Sequence, residues 1–184
     1  MNLVGILAVE LKSIANNWET QMAEILSKGS TESRVTPEYA AAVTKLADEH
    51  VNQRFLNDSH DHANLLSGLM IGRTKEYDDV LIYSNSLPFS CYGDALKRAG
   101  SGNIRIILED ASSAEEIKNL STDHPDCIHY RVLDTTDGAH FWIAGSAFRL
   151  EMDHDKAKAI ANFNDPEAIK ILRERFEKLW AIAK

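Results

Sequence analysis

The sequence is short of positive charge. Its 20 lysines and arginines stand against 28 aspartates and glutamates, a formal net charge of -8. A surplus of that sign repels nucleic acid and anionic lipid at long range, so contact with either would need a local basic patch. The acids are interleaved with bases and do not run in blocks, which argues against mimicry of a nucleic acid. Cysteine is scarce too. Cys91 and Cys127 are the two present, each in or beside an apolar stretch and neither in a zinc-binding spacing, so free thiols of a reducing compartment are expected. No apolar run approaches the roughly 20 residues that a membrane-spanning helix needs. The opening Leu3-Val4-Gly5-Ile6-Leu7-Ala8-Val9 has no basic region ahead of it and is interrupted by Glu10 and Lys12, unlike a signal peptide. A cytoplasmic protein with no membrane contact is expected. There is no internal repeat and no low-complexity linker.

What is present is ordinary globular composition. Hydrophobic residues make up 44% and charged residues 26% of 184. That suits one α/β domain, or one domain with a helical extension. Up to about residue 75 the pattern is helical. Leu3, Leu7, Leu11, Ile14, Trp18, Met22 and Ile25 recur at steps of three and four, the spacing of one helix face. Thr36-Pro37-Glu38 reads as a helix start, with threonine as cap and proline at the first helical position. Val43, Leu46, Ala47, Val51 and Phe55 are its expected buried stripe. A third helix is expected from about Asp61 to Thr74, with Leu65, Leu66, Leu69 and Met70 inward.

The texture changes at Asp78. Val80-Leu81-Ile82-Tyr83, Ile104 to Leu108 and Ile128 to Leu133 are short apolar runs between polar residues, the mark of buried strands. Helices are expected at Asp94 to Ala99 and from Ser113 to Leu120. Thr135-Thr136-Asp137-Gly138 reads as a turn that returns His140 to Ala144 as the second arm of a hairpin. Asp165-Pro166-Glu167 starts a last helix with Ile169, Leu172, Phe176, Leu179 and Trp180 inward. Strands alternating with helices indicate a mostly parallel sheet.

From about Leu65 onward these features, in this order, resemble one half of a phospholipase D superfamily domain. The segment Gly93 to Gly100 leads into the strand ending at Leu108. Ile128-His129-Tyr130-Arg131 falls where that family has its His-x-Lys strand, and Gly145-Ser146 where it has Gly-Ser. Phe163-Asn164-Asp165-Pro166, followed by Phe176 to Trp180, is similar to its C-terminal helix. The resemblance implies a helical extension over residues 1–60 and a phospholipase D-like α/β half-domain over 61–184. The departures are specific: Arg131 stands in the lysine position, Asp137 comes one residue later than the family's acid, and Phe148 stands in the asparagine position. The family also uses two such motifs, and this chain supplies one.

Phosphodiester transfer of that kind needs a nucleophilic imidazole, a second imidazole as acid, and cations on the phosphoryl oxygens. The resemblance makes His129 the candidate catalytic residue and puts Arg131, Ser146, Asp137 and Glu151 in the ligand-binding set. His129 and Arg131, two apart on a strand, share a face, and arginine can grip phosphate with two nitrogens. Arg149 and Glu151 would likewise share a face, as an ion pair. Asp58-Ser59-His60-Asp61-His62 and Asp153-His154-Asp155 are solvated polar stretches, and no metal or cofactor is implied. Two readings follow: a non-catalytic binding, sensing or interaction module with a degraded signature, or a homodimeric nuclease or phosphodiesterase using His129 from two chains. The N-terminal stripe offers a seam for a homodimer or a protein partner, and a phosphate-containing ligand or nucleic acid fits either reading.

Overall fold

The computed structural model describes residues 35–57, 59–74, 78–85, 103–109, 111, 114–123, 126–134, 139–153 and 158–184, apart from the side chains of His60, Glu116, Leu120 and Asp153. All of them belong to the second of two units, Ser33–Lys184. The expected N-terminal stripe, the helix at Asp94 to Ala99, Cys91 and Asp137 lie outside the described residues.

Helix α1 (Pro37–Asp48) begins as its sequence requires: the Thr36 hydroxyl accepts from Tyr39 N at 3.2 Å, with Pro37 behind it. Strand β1 (Phe55–Asn57) follows, then α2 (His60–Gly72), capped by Ser59 on His62 N at 3.2 Å. Strands β2 (Val80–Ser84) and β3 (Ile104–Leu108), helix α3 (Ala114–Asp123), strand β4 (Ile128–Val132), strands β5 (Phe141–Ala144), β6 (Ala147–Asp153) and β7 (Lys158–Asn162), and helix α4 (Pro166–Ile182) complete the order. Asp165 caps α4 on Ala168 N at 3.0 Å, and Arg54 grips its other oxygen at 2.7 Å.

The seven strands form one sheet in the order β1-β7-β6-β5-β2-β3-β4. The α/β class and the flanking helices stand as expected, but the sheet is mixed. Among the described residues, only β2–β3 and β3–β4 pair in parallel; the other four pairings are antiparallel. Side chains alternate across it. One face carries Val80, Ile82, Ile104, Ile106, Ile128 and Trp142, packed with Val43 and Ala47 of α1, Leu66 and Met70 of α2 and Ile117 of α3. The other face is covered by α4, where Phe176 meets Phe141 at 6.5 Å between ring centroids. Each aliphatic side chain so buried contributes about 1.5–3 kcal/mol.

Two expectations fail here. The stripe continued to Val51 and Phe55 does not, because α1 ends at Asp48 and His50 takes a left-handed φ of 49°. Phe55 instead pairs with Ala161 across β1–β7 and stacks on Phe163 at 5.4 Å. Long-range pairing there overrides a helical period. The sheet thus draws its edge strand from residues ahead of the expected boundary at 60/61. The hairpin is also elsewhere. β4 has β3 as its strand partner, while β5 crosses to β2 and pairs with it antiparallel. The true hairpin is β5–β6, closed by Gly145 and Ser146.

That two-residue turn has φ +59° at Gly145, the first loop position at which tight hairpins favour glycine. A Cβ there would lie 2.9 Å from Asp78 Oδ2. Gly145→Ala is therefore expected to lower unfolding free energy by about 1–3 kcal/mol, read by urea denaturation. An unchanged midpoint would show that the turn relaxes freely.

Candidate functional site

The sheet's register assembles a polar cluster at the C-terminal ends of the parallel strands. His140 directly precedes β5 and lies opposite Glu151, whose N–H donates to the His140 carbonyl at 2.8 Å. Residues opposite each other in an antiparallel pair bring their side chains together. Glu109 directly follows β3, its N–H donating to the Ser84 carbonyl at 3.1 Å. The ring of His140 lies between the two acids, with Nε2 3.1 Å from Glu109 and Nδ1 3.4 Å from Glu151. All three side chains are nearly buried: His140 is 12%, Glu109 5% and Glu151 11% exposed. The Tyr83 hydroxyl of β2 donates to the other oxygen of Glu109, and the Tyr83 ring meets His140 edge-on at 5.1 Å.

Arg149 extends the cluster. It sits two residues before Glu151 and so shares its face. Its Nη2 is 3.6 Å from Glu151, and its Nε donates to Asn57 of β1 at 3.3 Å. The expected Arg149–Glu151 ion pair is present. Arg175 of α4, also buried, places its guanidinium 5.9 Å from the centroid of the Tyr83 ring and 5.7 Å from that of Phe141. A register shift between β6 and β7 at Glu151 and Asp153 lies beside the cluster, as bulges beside functional sites often do.

Burial alone would push the His140 pKa down. The hydrogen bonds to Glu151 and Glu109 and their charges outweigh it, and the pKa lies above the usual 6.5. A neutral imidazole has one N–H and one lone pair, so it can satisfy one carboxylate while repelling the other. The charged ring donates to both.

The residues singled out from sequence are distributed differently. His129 is exposed on β4, the edge strand. Its β3 neighbour Arg105 is bound to Glu177 at 2.7 and 2.9 Å and lies over the Phe176 and Trp180 rings. Arg131 donates to the Trp180 carbonyl at 2.6 Å, its guanidinium 4.6 Å from the Trp180 ring centroid. Both arginines hold α4 to the sheet. Ser146 forms the hairpin turn and donates to the Phe163 carbonyl at 3.0 Å. Of the candidate set, Glu151 lies in the cluster. Tyr83, Glu109, His140, Arg149 and Arg175 were not selected. The available signal was the alternation Arg149-Leu150-Glu151 opposite a histidine at the start of the preceding strand. Among the described residues no group of histidine, cysteine and acids is arranged to hold a metal ion, and no helix is long and apolar enough to cross a membrane.

This architecture recurs among solved structures, TrmBL2 and Nuc among them. TrmBL2, an archaeal chromatin protein whose structure shows a novel mode of DNA binding, superposes with a TM-score of 0.59 at 13% identity, over 98% of this chain and 66% of its own length. Nuc, a phospholipase D family member from Salmonella typhimurium, superposes with a TM-score of 0.52 at 13% identity, over 72% of this chain and 97% of its own. At such identities the likeness is one of fold, and the fold is phospholipase D-like. No family model and no curated protein matches the chain.

The raised His140 pKa carries a definite sign. A group whose folded pKa exceeds its unfolded value stabilises fully below the unfolded pKa and loses that contribution as pH rises through the folded one. His140→Gln, which leaves Glu109 and Glu151 without their shared cation, is expected to cost about 1.5–3 kcal/mol at pH ~6. The deficit should shrink as pH climbs above about 6.5. Urea unfolding of both proteins across that range checks it; a deficit that is flat or grows with pH contradicts it.

Proposed function

We propose that this chain is a binding module on a phospholipase D-like fold, without phosphodiester turnover of its own. The observation carrying this is the double engagement of His140. Nucleophilic or acid–base work at phosphorus needs an imidazole nitrogen directed at substrate, and here Nε2 meets Glu109 and Nδ1 meets Glu151. The degraded signature around His129 points the same way. The cations nearest to it in the sheet, Arg105 and Arg131, are bound to Glu177 and to the Trp180 carbonyl, where developing phosphoryl charge would need them. Two buried carboxylates beside the imidazole would also repel a phosphodiester in its transition state.

One structural neighbour is a DNA-binding chromatin protein, which makes nucleic acid the macromolecular ligand to test first. With a net charge of -8, such binding would depend on a local basic surface and weaken steeply with salt. A cytoplasmic setting and association through the N-terminal apolar stripe belong to this same reading.

The test is turnover. Purified protein at high concentration, given a chromogenic bis-phosphodiester or single-stranded DNA with chelator present, is expected to release no product above the buffer rate. Metal-independent cleavage that disappears in His129→Ala would overturn the reading in favour of a homodimeric nuclease using His129 from two chains. Cleavage lost in His140→Ala would overturn it in favour of chemistry at the buried cluster.

A further inference from the structure

We propose that the outer edge of β4 is a pairing surface for a second copy of this chain, held closed by the chain's own Lys184. β4 ends the sheet, so one side of it has no strand partner among the described residues. The polar backbone groups of a strand alternate between its two sides. The Cys127 carbonyl accepts from Ile104 N, and Leu133 N donates to the Leu108 carbonyl. The groups of Ile128, Tyr130 and Val132 therefore point away from β3. A row of this kind is a template on which another strand can build.

Two contacts within the chain occupy the ends of that row. The Ser121 hydroxyl donates to the Ile128 carbonyl at 2.7 Å. Past the end of α4, Ala183 is extended, with ψ 150°, and leads the chain onto the strand. There Val132 N donates to the Lys184 carbonyl at 2.7 Å, and Lys184 N donates to the Val132 carbonyl at 2.9 Å. A mutual pair of bonds is one rung of an antiparallel ladder. Lys184 Nζ adds an ion pair with Asp134 at 2.6 Å. What remains between the two contacts is the single rung of Tyr130, short of the roughly three residues that the shortest strands have.

The rung that Lys184 makes is the one a second β4 would make. Paired about a two-fold axis at Val132, β4 and its copy exchange the same two bonds between their Val132 residues. Arg131 then faces Leu133 and Tyr130 faces Asp134, with no like charges opposed. An axis at Tyr130 would set His129 against Arg131, and an axis at Arg131 would set the two arginines against each other, which is unfavourable. Charge therefore selects the register that Lys184 blocks.

The experiment combines light scattering with amide hydrogen exchange on the full chain. Lys184→Pro removes the N–H that the Val132 carbonyl accepts, and it suits the extended Ala183 before it. In dilute solution the Val132 amide of this variant is expected to exchange faster than in wild type. At concentrations where wild type keeps its mass, the variant should double in mass and its Val132 amide should become protected again. Tyr130→Pro loses an N–H that faces away from β3, a loss tolerated on an edge strand; added to Lys184→Pro, it should restore the wild-type mass. Should that double variant not fold, Asp134→Pro removes the partner N–H of the same rung and must do likewise. Val132 exchange unchanged by Lys184→Pro, or a mass that follows wild type at every concentration, overturns the proposal. So does a doubling that survives the second proline.

Discussion

An imidazole buried between two buried carboxylates has one comfortable state, the charged one. That constraint organises the polar half of this molecule. Glu109 comes from the end of β3, His140 from the start of β5 and Glu151 from β6. One proton on one ring therefore joins the parallel half of the sheet to the antiparallel half. Arg149 and Asn57 carry the connection to the far edge strand, and Tyr83 ties it to β2. Isolating a charge from water costs several kcal/mol, and leaving one unpaired costs more than never burying the pair. The cluster is thus a device that holds only if all its members are in place.

The same wiring shapes what the fold can do. Catalysis by an imidazole needs a ring nitrogen directed at substrate. Here the imidazole is turned upon internal acids. The arginines near the exposed His129 serve another purpose, fastening α4 across the sheet through Glu177 and Trp180. The cationic and imidazole side chains described here are bound to acids and carbonyls of the chain itself.

Much of the fold was legible because it is written in local signals. Thr36-Pro37 and Asp165-Pro166 mark helix starts, and both act as such. The apolar run Val80 to Tyr83 reads as a buried strand and lies in one, Val80–Ser84. The failures share a cause: pairing between distant residues. Phe55 sits at helical spacing from Val51, yet its partner is Ala161, more than a hundred residues away. The return from β4 looked like a hairpin, whereas β5 seeks the open side of β2. The site was missed for the same reason. His129 carried a cation, Arg131, two residues on, while His140 takes its meaning from Glu109 and Glu151, which no spacing along the chain connects to it. Glu151 was legible through its alternation with Arg149, a short-range signal.

The protonation state of one ring decides the matter most directly. Nitrogen NMR of isotopically labelled imidazoles, assigned with His140→Gln, distinguishes a doubly protonated ring from either neutral tautomer. At pH about 6.5, where an ordinary histidine is half charged, His140 should be predominantly imidazolium, with both ring nitrogens protonated and a titration midpoint above that of a free histidine. A neutral single tautomer at that pH would mean that the ring is not clasped by both carboxylates, and the central claim would fall.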